Sequence, residues 1–237
     1  MDSRAAVSSD NVKERLKASY DAMAPAYNEW TIPHSKLRMD YLQKALERLD
    51  LPSGAGEGEG RRPAFLELGC GCGLPVTQTL LSHHPGARIV ANDLSDTQLA
   101  LARENLIRGS EAEAVAARLE LIPGDMNALT FPSGSLDLIV AFYSIIHLPR
   151  DEQTALLRRA AQWLRPGGCF VANFAKEESE AVVVDKWLDD DKGWMYWSAW
   201  GEEKTLQQMK EAGFDVVVAD VVEDVVDATF LWVVAKR

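Results

Sequence analysis

Apolar positions along the chain follow two spacings, and their order predicts an α/β fold. Consecutive apolar residues typical of buried strands occur at 65–68, 88–94, 119–122, 135–141 and 169–174. Between them, apolar residues recur at helical spacing, as at 96–108 and 151–164. Strands that alternate with helices indicate a parallel sheet that is covered on both faces.

Further elements flank this alternation. Helical periodicity before it predicts a helix from residue 11 to Pro25, where proline is expected to end it, and a second helix over 35–49. After it, residues 202–212 form a predicted helix that ends at Gly213. Two apolar segments then predict a closing β-hairpin, at 216–222 and 229–235.

Residues 176–201 interrupt the alternation and form a loop-like insertion. Aromatic side chains are dense in it, namely Trp187, Trp194, Tyr196, Trp197 and Trp200. They predict either a lid over a ligand or a surface on which an auxiliary helix packs. With the Gly- and Glu-rich linker at 52–60, this divides the chain into a helical cap and linker, 1–60, and a core, 61–237, that carries the insertion at about 176–201.

Composition and charge narrow the classes of partner that the protein is expected to bind. The 237 residues carry a formal net charge of −11, which repels phosphate backbones and disfavours nucleic acid as a partner. No apolar run approaches membrane-spanning length and no signal sequence precedes the first helix, so we expect a cytoplasmic protein without a membrane partner. Three cysteines form neither a disulfide framework nor a zinc motif, and no metal is expected. Oligomeric state is not predicted.

The turn after the first strand carries the most specific pattern, Glu67-Leu68-Gly69-Cys70-Gly71-Cys72-Gly73. Alternate glycines permit positive φ and close approach of a ligand to the backbone. A dinucleotide fingerprint requires glycine at the sixth position, where Leu74 stands, and a phosphate-binding P-loop requires a Lys-Ser or Lys-Thr pair that is absent. The acidic Glu67 and the lack of a cation suit a ligand with a positively charged end.

The next two strand ends add candidate residues. Asp93 ends the second strand about twenty residues beyond Gly73, where nucleotide-binding α/β folds place a carboxylate on ribose hydroxyls. The alternative role, capping the next helix, suits Ser95 better. Ligands of open parallel sheets lie beyond the carboxyl ends of the strands. This adds Leu94, Ala141 and Phe142 to the expected ligand contacts, and Tyr143, Ser144 and His147 as candidates for substrate chemistry.

These motifs together resemble the class I S-adenosylmethionine-dependent methyltransferases, whose signature is an acidic residue followed by Gly-x-Gly-x-Gly. The resemblance extends from about Tyr20 to the C-terminus. It implies a doubly wound, mostly parallel seven-stranded Rossmann-like sheet, to which the closing hairpin supplies one antiparallel strand. It also implies S-adenosylmethionine as cofactor and methyl transfer to a small-molecule acceptor.

The family's further motifs match two segments. Residues 20–28, Tyr-Asp-Ala-Met-Ala-Pro-Ala-Tyr-Asn, are similar to a segment that folds over the cofactor, so Tyr20 and Tyr27 either contact it or only pack the helix. Asp125 and Met126 match the residues at the adenine, although a turn-forming role for Asp125 stays open. The expected cofactor-binding residues are Tyr20, Tyr27, Glu67, Gly69, Cys70, Gly71, Gly73, Asp93, Leu94, Asp125, Met126, Ala141 and Phe142.

His147 is the expected catalytic residue, as a general base or acceptor-orienting group, with Tyr143 assisting. The alternative is that His147 only forms hydrogen bonds within the turn or packs against the edge of the cofactor. Two other functions stay open. One is a non-catalytic partner protein that binds S-adenosylmethionine, and the other is a nucleotide-dependent oxidoreductase, which Leu74 at the sixth position of the loop disfavours. Trp30 and His34 are expected on the acceptor side, and the residues do not identify the acceptor or the atom methylated.

Overall fold

The computed structural model describes residues 9–51, 61–224 and 228–237, with only the backbone of residues 9 and 10. The predicted linker at 52–60 and the polar residues 1–8 lie outside the described residues. The strands are β1 Ala64–Leu68, β2 Arg88–Asp93, β3 Leu119–Pro123, β4 Leu136–Ala141, β5 Leu164–Ala175, β6 Glu178–Val184, β7 Met195–Trp200, β8 Asp215–Glu223 and β9 Thr229–Lys236. The α-helices are α1 Ser9–Thr31, α2 Lys36–Leu46, α3 Val76–His83, α4 Asp96–Leu106, α5 Ala112–Ala116, α6 Arg150–Trp163 and α7 Glu202–Ala212.

The main sheet has seven strands in the order β3-β2-β1-β4-β5-β9-β8. Strand β1 pairs in parallel with both β2 and β4. Strand β9 runs antiparallel to β5 and to β8, so it is the one strand of reversed direction. This confirms the predicted Rossmann-like sheet. The strand order reverses between β1 and β4, which places a ligand site beyond their carboxyl ends.

Helices cover both faces of the sheet because alternate strand residues point to opposite sides. Phe65 packs in a core with Leu42 of α2 and Leu80 of α3. The next residue, Leu66, packs on the other face with Leu156 of α6 and Met209 of α7. All of β4 is buried, which explains why its sequence is apolar on both faces apart from Asp137, rather than alternating.

Helix α1 does not end at Pro25, as the sequence analysis expected, but continues to Thr31. The proline ring is on the exposed side of the helix. Met23, Ala24 and Asn28 are buried on the other side. Burial of this face offsets the missing hydrogen bond at the proline, a case in which tertiary packing overrides local propensity.

The insertion is also more regular than the expected loop. Strands β6 and β7 pair as an antiparallel two-stranded sheet, separate from the main one. The valines of β6 gave no alternating pattern because Val182, Val183 and Val184 are all at least partly exposed. Among the described residues, no helix combines the length and apolar character that crossing a bilayer requires.

The central position of β4 predicts the stability effect of a core truncation. Leu138→Ala should lower the free energy of unfolding by about 2–5 kcal/mol, because Leu138 has no exposed surface and a cavity would remain. Val217→Ala, on the edge strand β8 at 41% exposure, should change it by less than about 0.5 kcal/mol. Urea denaturation measures both, and equal losses would contradict the placement of the core.

Candidate active site

A small cavity lies beyond the carboxyl ends of β1, β2, β3 and β4 and is covered by α1. Its volume is about 90 Å³. Residues that the sequence predicted and that line it are Tyr20, Tyr27, Gly69, Gly71, Asp93, Leu94, Asp125, Met126, Phe142, Tyr143, Ser144 and His147. The reversal of strand order and the predicted residues therefore coincide at one place. We call this the loop cavity.

The first glycine of the loop allows two turns to touch. Gly69 has φ +76°, and a β-carbon built on it would lie 2.4 Å from the Ser144 Cβ. The backbone N–H groups of Gly69 and Cys70 both donate to the Asn92 carbonyl oxygen, at 2.8 and 2.9 Å. The turn after β1 is thus bound to β2 and in contact with the turn after β4.

The second glycine faces open space. Gly71 has φ +55°, and the nearest atom to an added β-carbon would be Gln98 Oε1 at 3.9 Å. Its N–H donates to Asp93 Oδ2 at 2.7 Å. Packing against other residues therefore does not require a glycine here, but its positive φ favours one, and the backbone stays open to a ligand.

Asp93 is held at the end of β2 by backbone donors. Its Oδ1 accepts from the Ser95 N–H at 2.9 Å, and its Oδ2 accepts from Gly71. Burial raises the pKa of Asp93 to about 6, against the opposing effect of these hydrogen bonds. A carboxylate has about four acceptor positions, so two remain for a ligand. Ser95 caps α4, as expected, by accepting from the Gln98 N–H.

Four residues grouped with these in the sequence analysis do not line the loop cavity. Glu67 is buried beneath the loop, where Thr77 Oγ1 donates to it, and burial raises the pKa of its carboxyl to about 8. A β-carbon on Gly73 would lie 2.6 Å from Leu106 Cδ1, so this glycine permits packing on α4. Cys70 and Ala141 are buried in the apolar cores on either face of the sheet.

Asp125 already has protein partners. Its Oδ1 accepts from the Asn127 N–H at 2.8 Å, the turn-forming role that the sequence analysis left open. Its Oδ2 accepts from Lys13 Nζ at 2.6 Å, and Lys13 also pairs with Glu152 at 2.6 Å. Sequence reasoning missed Lys13 because the partners are 112 residues apart.

Ser144 supplies an unpartnered polar atom. Its Oγ is buried without a hydrogen-bond partner among the described residues, and the side chain lines the loop cavity. An orphaned buried hydroxyl costs free energy unless a ligand or water satisfies it. Residues that line the cavity and were not predicted for it are Lys13, Leu16, Gln98, Gly124 and Leu148.

Helix α1 closes the cavity through contacts with α4. The Asp21 carboxylate accepts from Ser95 Oγ at 2.6 Å and from the Thr97 N–H at 3.0 Å. Burial raises the pKa of Asp21, but hydrogen bonds from Lys17 and α4 outweigh that effect and lower it to about 2. Asn28 and Gln98 exchange two amide hydrogen bonds, at 3.0 and 3.1 Å.

A larger second cavity of about 530 Å³ adjoins the first. We call it the outer cavity. It lies between α1, the β6–β7 hairpin and the turn that leads into β9. Trp30 and His34, which the sequence analysis expected on the acceptor side, line it, together with Trp187 and Trp197 of the insertion. Four side chains line both cavities: Tyr20, Tyr27, Tyr143 and His147.

The shared wall contains a defined hydrogen-bonded pair. His147 Nδ1 lies 2.8 Å from the Tyr196 carbonyl oxygen, which can only accept, so Nδ1 carries the proton. His147 Nε2 therefore accepts from the Tyr20 hydroxyl at 2.9 Å. Burial lowers the pKa of His147 to about 4 and raises that of Tyr20 well above its usual range, so both are neutral at pH 7.

Tyr143, the other predicted catalytic residue, is turned toward the end of β8. Its hydroxyl donates to Asp224 Oδ2 at 2.5 Å, and its N–H donates to Asn173 Oδ1 at 2.7 Å. Burial and the Asp224 contact raise the pKa of the phenol. Its φ of +53° is unusual for a residue with a bulky side chain. Tyr143 and His147 share the cavity wall but do not form the pair; Tyr20 and His147 do.

Comparison with known proteins identifies the family. The family described as "Methyltransferase domain" matches residues 65–168, the segment from β1 through the start of β5 that contains the glycine loop and the β4 turn. Residues 65–168 thus form a methyltransferase domain of the class I S-adenosylmethionine-dependent kind.

Two similar proteins of known name are both methyltransferases, and each aligns with only part of its own length. Methyltransferase GfsG of Streptomyces halstedii is 30% identical over 167 residues, which cover 67% of this chain and 53% of that protein. Sterol 24-C-methyltransferase of Pneumocystis carinii is 30% identical over 141 residues, 60% of this chain and 33% of that protein. The chain thus spans a third to about half the length of these relatives.

Solved structures confirm the methyltransferase fold at low identity. The 1,6-didemethyltoxoflavin-N1-methyltransferase of Burkholderia thailandensis aligns with a TM-score of 0.68 at 16% identity, over 100% of this chain and 93% of that one. The [4+2]-cyclase SpnF aligns with a TM-score of 0.67, also at 16% identity, over 95% and 96%. At such identities the likeness concerns the fold alone, since a cyclase and a methyltransferase share it.

Alanine substitutions at Gly69 and Gly109 distinguish the steric cost of an added β-carbon from its conformational cost. Both have positive φ, but a β-carbon on Gly109 would meet nothing within 4 Å. Gly109→Ala should cost about 1–2 kcal/mol of folding free energy, the conformational penalty alone. Gly69→Ala should exceed it by at least about 1 kcal/mol, because the new methyl group would overlap the Ser144 side chain. Equal losses in urea denaturation would contradict the contact.

Proposed function

We propose that this protein transfers a methyl group from S-adenosylmethionine to a small-molecule acceptor. The observation that carries the proposal is the arrangement of two cavities with one shared wall. A group bound in the loop cavity and a group bound in the outer cavity would meet at Tyr20, Tyr27, Tyr143 and His147. Family membership supports the same reading.

Features of the loop cavity fit an adenosyl ligand. Gly71 leaves room against the backbone, Asp93 retains acceptor positions, and the Ser144 hydroxyl has no hydrogen-bond partner within the described part of the chain. Apolar side chains, Leu94, Met126 and Phe142, provide surfaces for a planar base. Asp93 would accept hydrogen bonds from the ribose hydroxyls, and Asp125 keeps acceptor positions beside its bond to Lys13. The volume of about 90 Å³ is small for the ligand, so we infer that α1 moves outward on binding.

When bound, S-adenosylmethionine supplies a methyl group on a positively charged sulfur. The chain's contribution is chiefly positional, because an in-line displacement needs the acceptor atom aligned at close range. Well-oriented pairs gain about 7–11 kcal/mol from positioning alone. The rings of Tyr20 and Tyr27, 5.3 Å apart at the shared wall, would attract the positive charge by cation–π interaction.

We assign any proton transfer to His147 acting through Tyr20. His147 Nε2 has its lone pair directed at the Tyr20 hydroxyl, so an acceptor proton would reach it by way of the phenol oxygen. With a pKa of about 4 the imidazole is neutral, hence able to accept, but weakly basic. Tyr143, bound to Asp224, would position the acceptor.

Names of relatives support the class of reaction and not the acceptor. Relatives are called a sterol C-methyltransferase, a phosphoethanolamine N-methyltransferase and a release factor glutamine methyltransferase, which differ in the atom methylated. The didemethyltoxoflavin enzyme was solved with its small-molecule substrate and S-adenosylhomocysteine. The large outer cavity favours a small-molecule acceptor for this chain as well.

Asp93 gives a test that depends on the cofactor alone. Asp93→Asn should weaken binding of S-adenosylhomocysteine by about 1.5–3 kcal/mol, roughly 10–100-fold, because a charge-assisted hydrogen bond to the ribose is lost. Isothermal titration calorimetry measures the affinity. Asp215→Asn, an exposed acid at the start of β8, is the matched control and should bind as the parent does. Parent-like binding by Asp93→Asn would refute the ribose contact.

The same residue predicts a pH dependence. Because the pKa of Asp93 is raised to about 6, lowering the pH from 7.5 to 5.5 protonates it and should weaken S-adenosylhomocysteine binding. Asp21 and His147, with pKa values of about 2 and about 4, do not titrate in this window, and Glu67, with a pKa of about 8, is already mostly protonated at its upper end. In Asp93→Asn the pH dependence should disappear. If the affinity of Asp93→Asn still fell between pH 7.5 and 5.5, another group would be responsible.

Variants of His147 distinguish a role in proton transfer from a role in cofactor binding. His147→Ala should reduce turnover by about 10²-fold or more, with S-adenosylhomocysteine affinity unchanged within about threefold. Tyr20→Phe should match it, and the double variant should be no worse, since both changes break one path. Turnover is measured with a labelled methyl group and the acceptor that a small-molecule screen selects. A loss below about tenfold would remove His147 from proton transfer.

A further inference from the structure

Five aromatic rings form a closed circuit around the inner end of the outer cavity. Consecutive ring centroids are 5.3–6.0 Å apart in the order Tyr20, Tyr27, Trp187, Trp197, His147 and back to Tyr20. All five side chains line the outer cavity. A point in the middle of five rings spaced in this way lies about 5 Å from each centroid, which is within cation–π distance of every ring whose face is turned toward it. We call this set the aromatic circuit.

The circuit opens to the acceptor side. Tyr20, Tyr27 and His147 also line the loop cavity, but Trp187 and Trp197 line the outer cavity only. Both tryptophans belong to the insertion, in the turn before β7 and in β7 itself. A group at the centre of the circuit would therefore be in contact with the insertion and adjacent to the shared wall, the position of an acceptor atom.

Charges around the cavity favour a positive ligand. Among the described residues that line the outer cavity, none is lysine or arginine, whereas Glu177 and Asp224 are acidic. His147 adds no positive charge, because its Nε2 accepts a hydrogen bond and burial lowers its pKa to about 4. The net charge of the chain, −11, acts in the same direction.

The remainder of the lining is apolar. Ile146, Val182, Val184 and Phe230 line the cavity beyond the circuit, and the valines of β6 are at least 36% exposed. Exposed valines beside a cavity of about 530 Å³ offer surface to an apolar body larger than a single amino group.

We propose that the methyl acceptor is an apolar amine whose positively charged nitrogen is recognised by the aromatic circuit. This inference rests on the proposed function, because it names the acceptor class of the same site. The charged form is the one recognised. Its proton passes by way of the Tyr20 hydroxyl to His147 Nε2, and the freed lone pair bonds to the methyl carbon as the carbon–sulfur bond breaks, which leaves S-adenosylhomocysteine. N-methylation is thereby selected over the O-, S- and C- alternatives that the sequence left open.

A pair of probes with the same shape and different charge tests the inference. Trimethyl(3-phenylpropyl)ammonium carries a cationic head on an apolar body, and (4,4-dimethylpentyl)benzene replaces the nitrogen by carbon. Both are titrated into the full chain with saturating S-adenosylhomocysteine, and affinities are measured by calorimetry or competition. A purely apolar cavity favours the neutral probe, so the sign is informative. We expect the cation to bind at least about tenfold more tightly. Equal or tighter binding of the neutral probe would overturn the inference.

Variants test which side chains produce the preference for the cationic probe. Trp187→Leu should lower affinity for the cation at least about fivefold and change that of the neutral probe less than twofold, whereas Trp187→Phe, which keeps a ring, should retain most of the preference. Trp200→Leu is the control, since Trp200 lies on the same hairpin but packs on Arg150 outside the cavity. Thermal melting checks folding of each variant. If Trp187→Leu does not fold, the probe pair on the parent chain still decides.

A further arm separates the acceptor's nitrogen from the cofactor's sulfur. If the circuit served the sulfonium instead, Trp187→Leu would weaken binding of S-adenosylmethionine relative to neutral S-adenosylhomocysteine and leave the probe preference intact, which would overturn the inference. We expect the ratio of these two affinities to stay within about twofold of the parent. Failure of S-adenosylhomocysteine to bind at all would refute the proposed function itself, and repeating the probe titrations without it gives the charge preference independently of that result.

Discussion

The close approach of Gly69 to Ser144 is the contact on which the site depends. It joins the turn after β1 to the turn after β4 at the place where the strand order reverses. Only a residue without a β-carbon permits this distance, and the positive φ of Gly69 adds a second requirement for glycine. The loop cavity and the turn that carries Tyr143 and His147 thereby acquire a fixed relation. A ligand bound on one turn would be held beside the side chains of the other.

Helix α1 completes the site from the opposite side. It caps the N-terminus of α4 through Asp21, pairs with Gln98 through Asn28, and places Tyr20 against His147. One helix therefore contributes the cover of the loop cavity and part of the wall shared with the outer cavity.

Local patterns predicted the sheet, the glycine loop and most of the residues around the loop cavity, because strand ends and turns are encoded over short distances. Contacts between distant segments were not predictable. The Tyr20–His147 pair spans 127 residues, and the Lys13–Asp125 pair spans 112. The helix was expected to end at Pro25 but continues past it, because burial of one face of α1 outweighs the local cost of the proline. The hairpin of the insertion was missed because the exposed valines of β6 do not alternate with polar residues.

The fold alone does not specify the reaction, since a [4+2]-cyclase shares it. The feature of this chain that bears on the reaction is the shared wall between the two cavities. The most direct test is a crystal structure of the chain with S-adenosylhomocysteine. The account predicts the adenosine within the loop cavity, the ribose hydroxyls on Asp93 and the sulfur at the wall formed by Tyr20, Tyr27 and His147. A ligand bound elsewhere, or a sulfur directed away from the outer cavity, would contradict it.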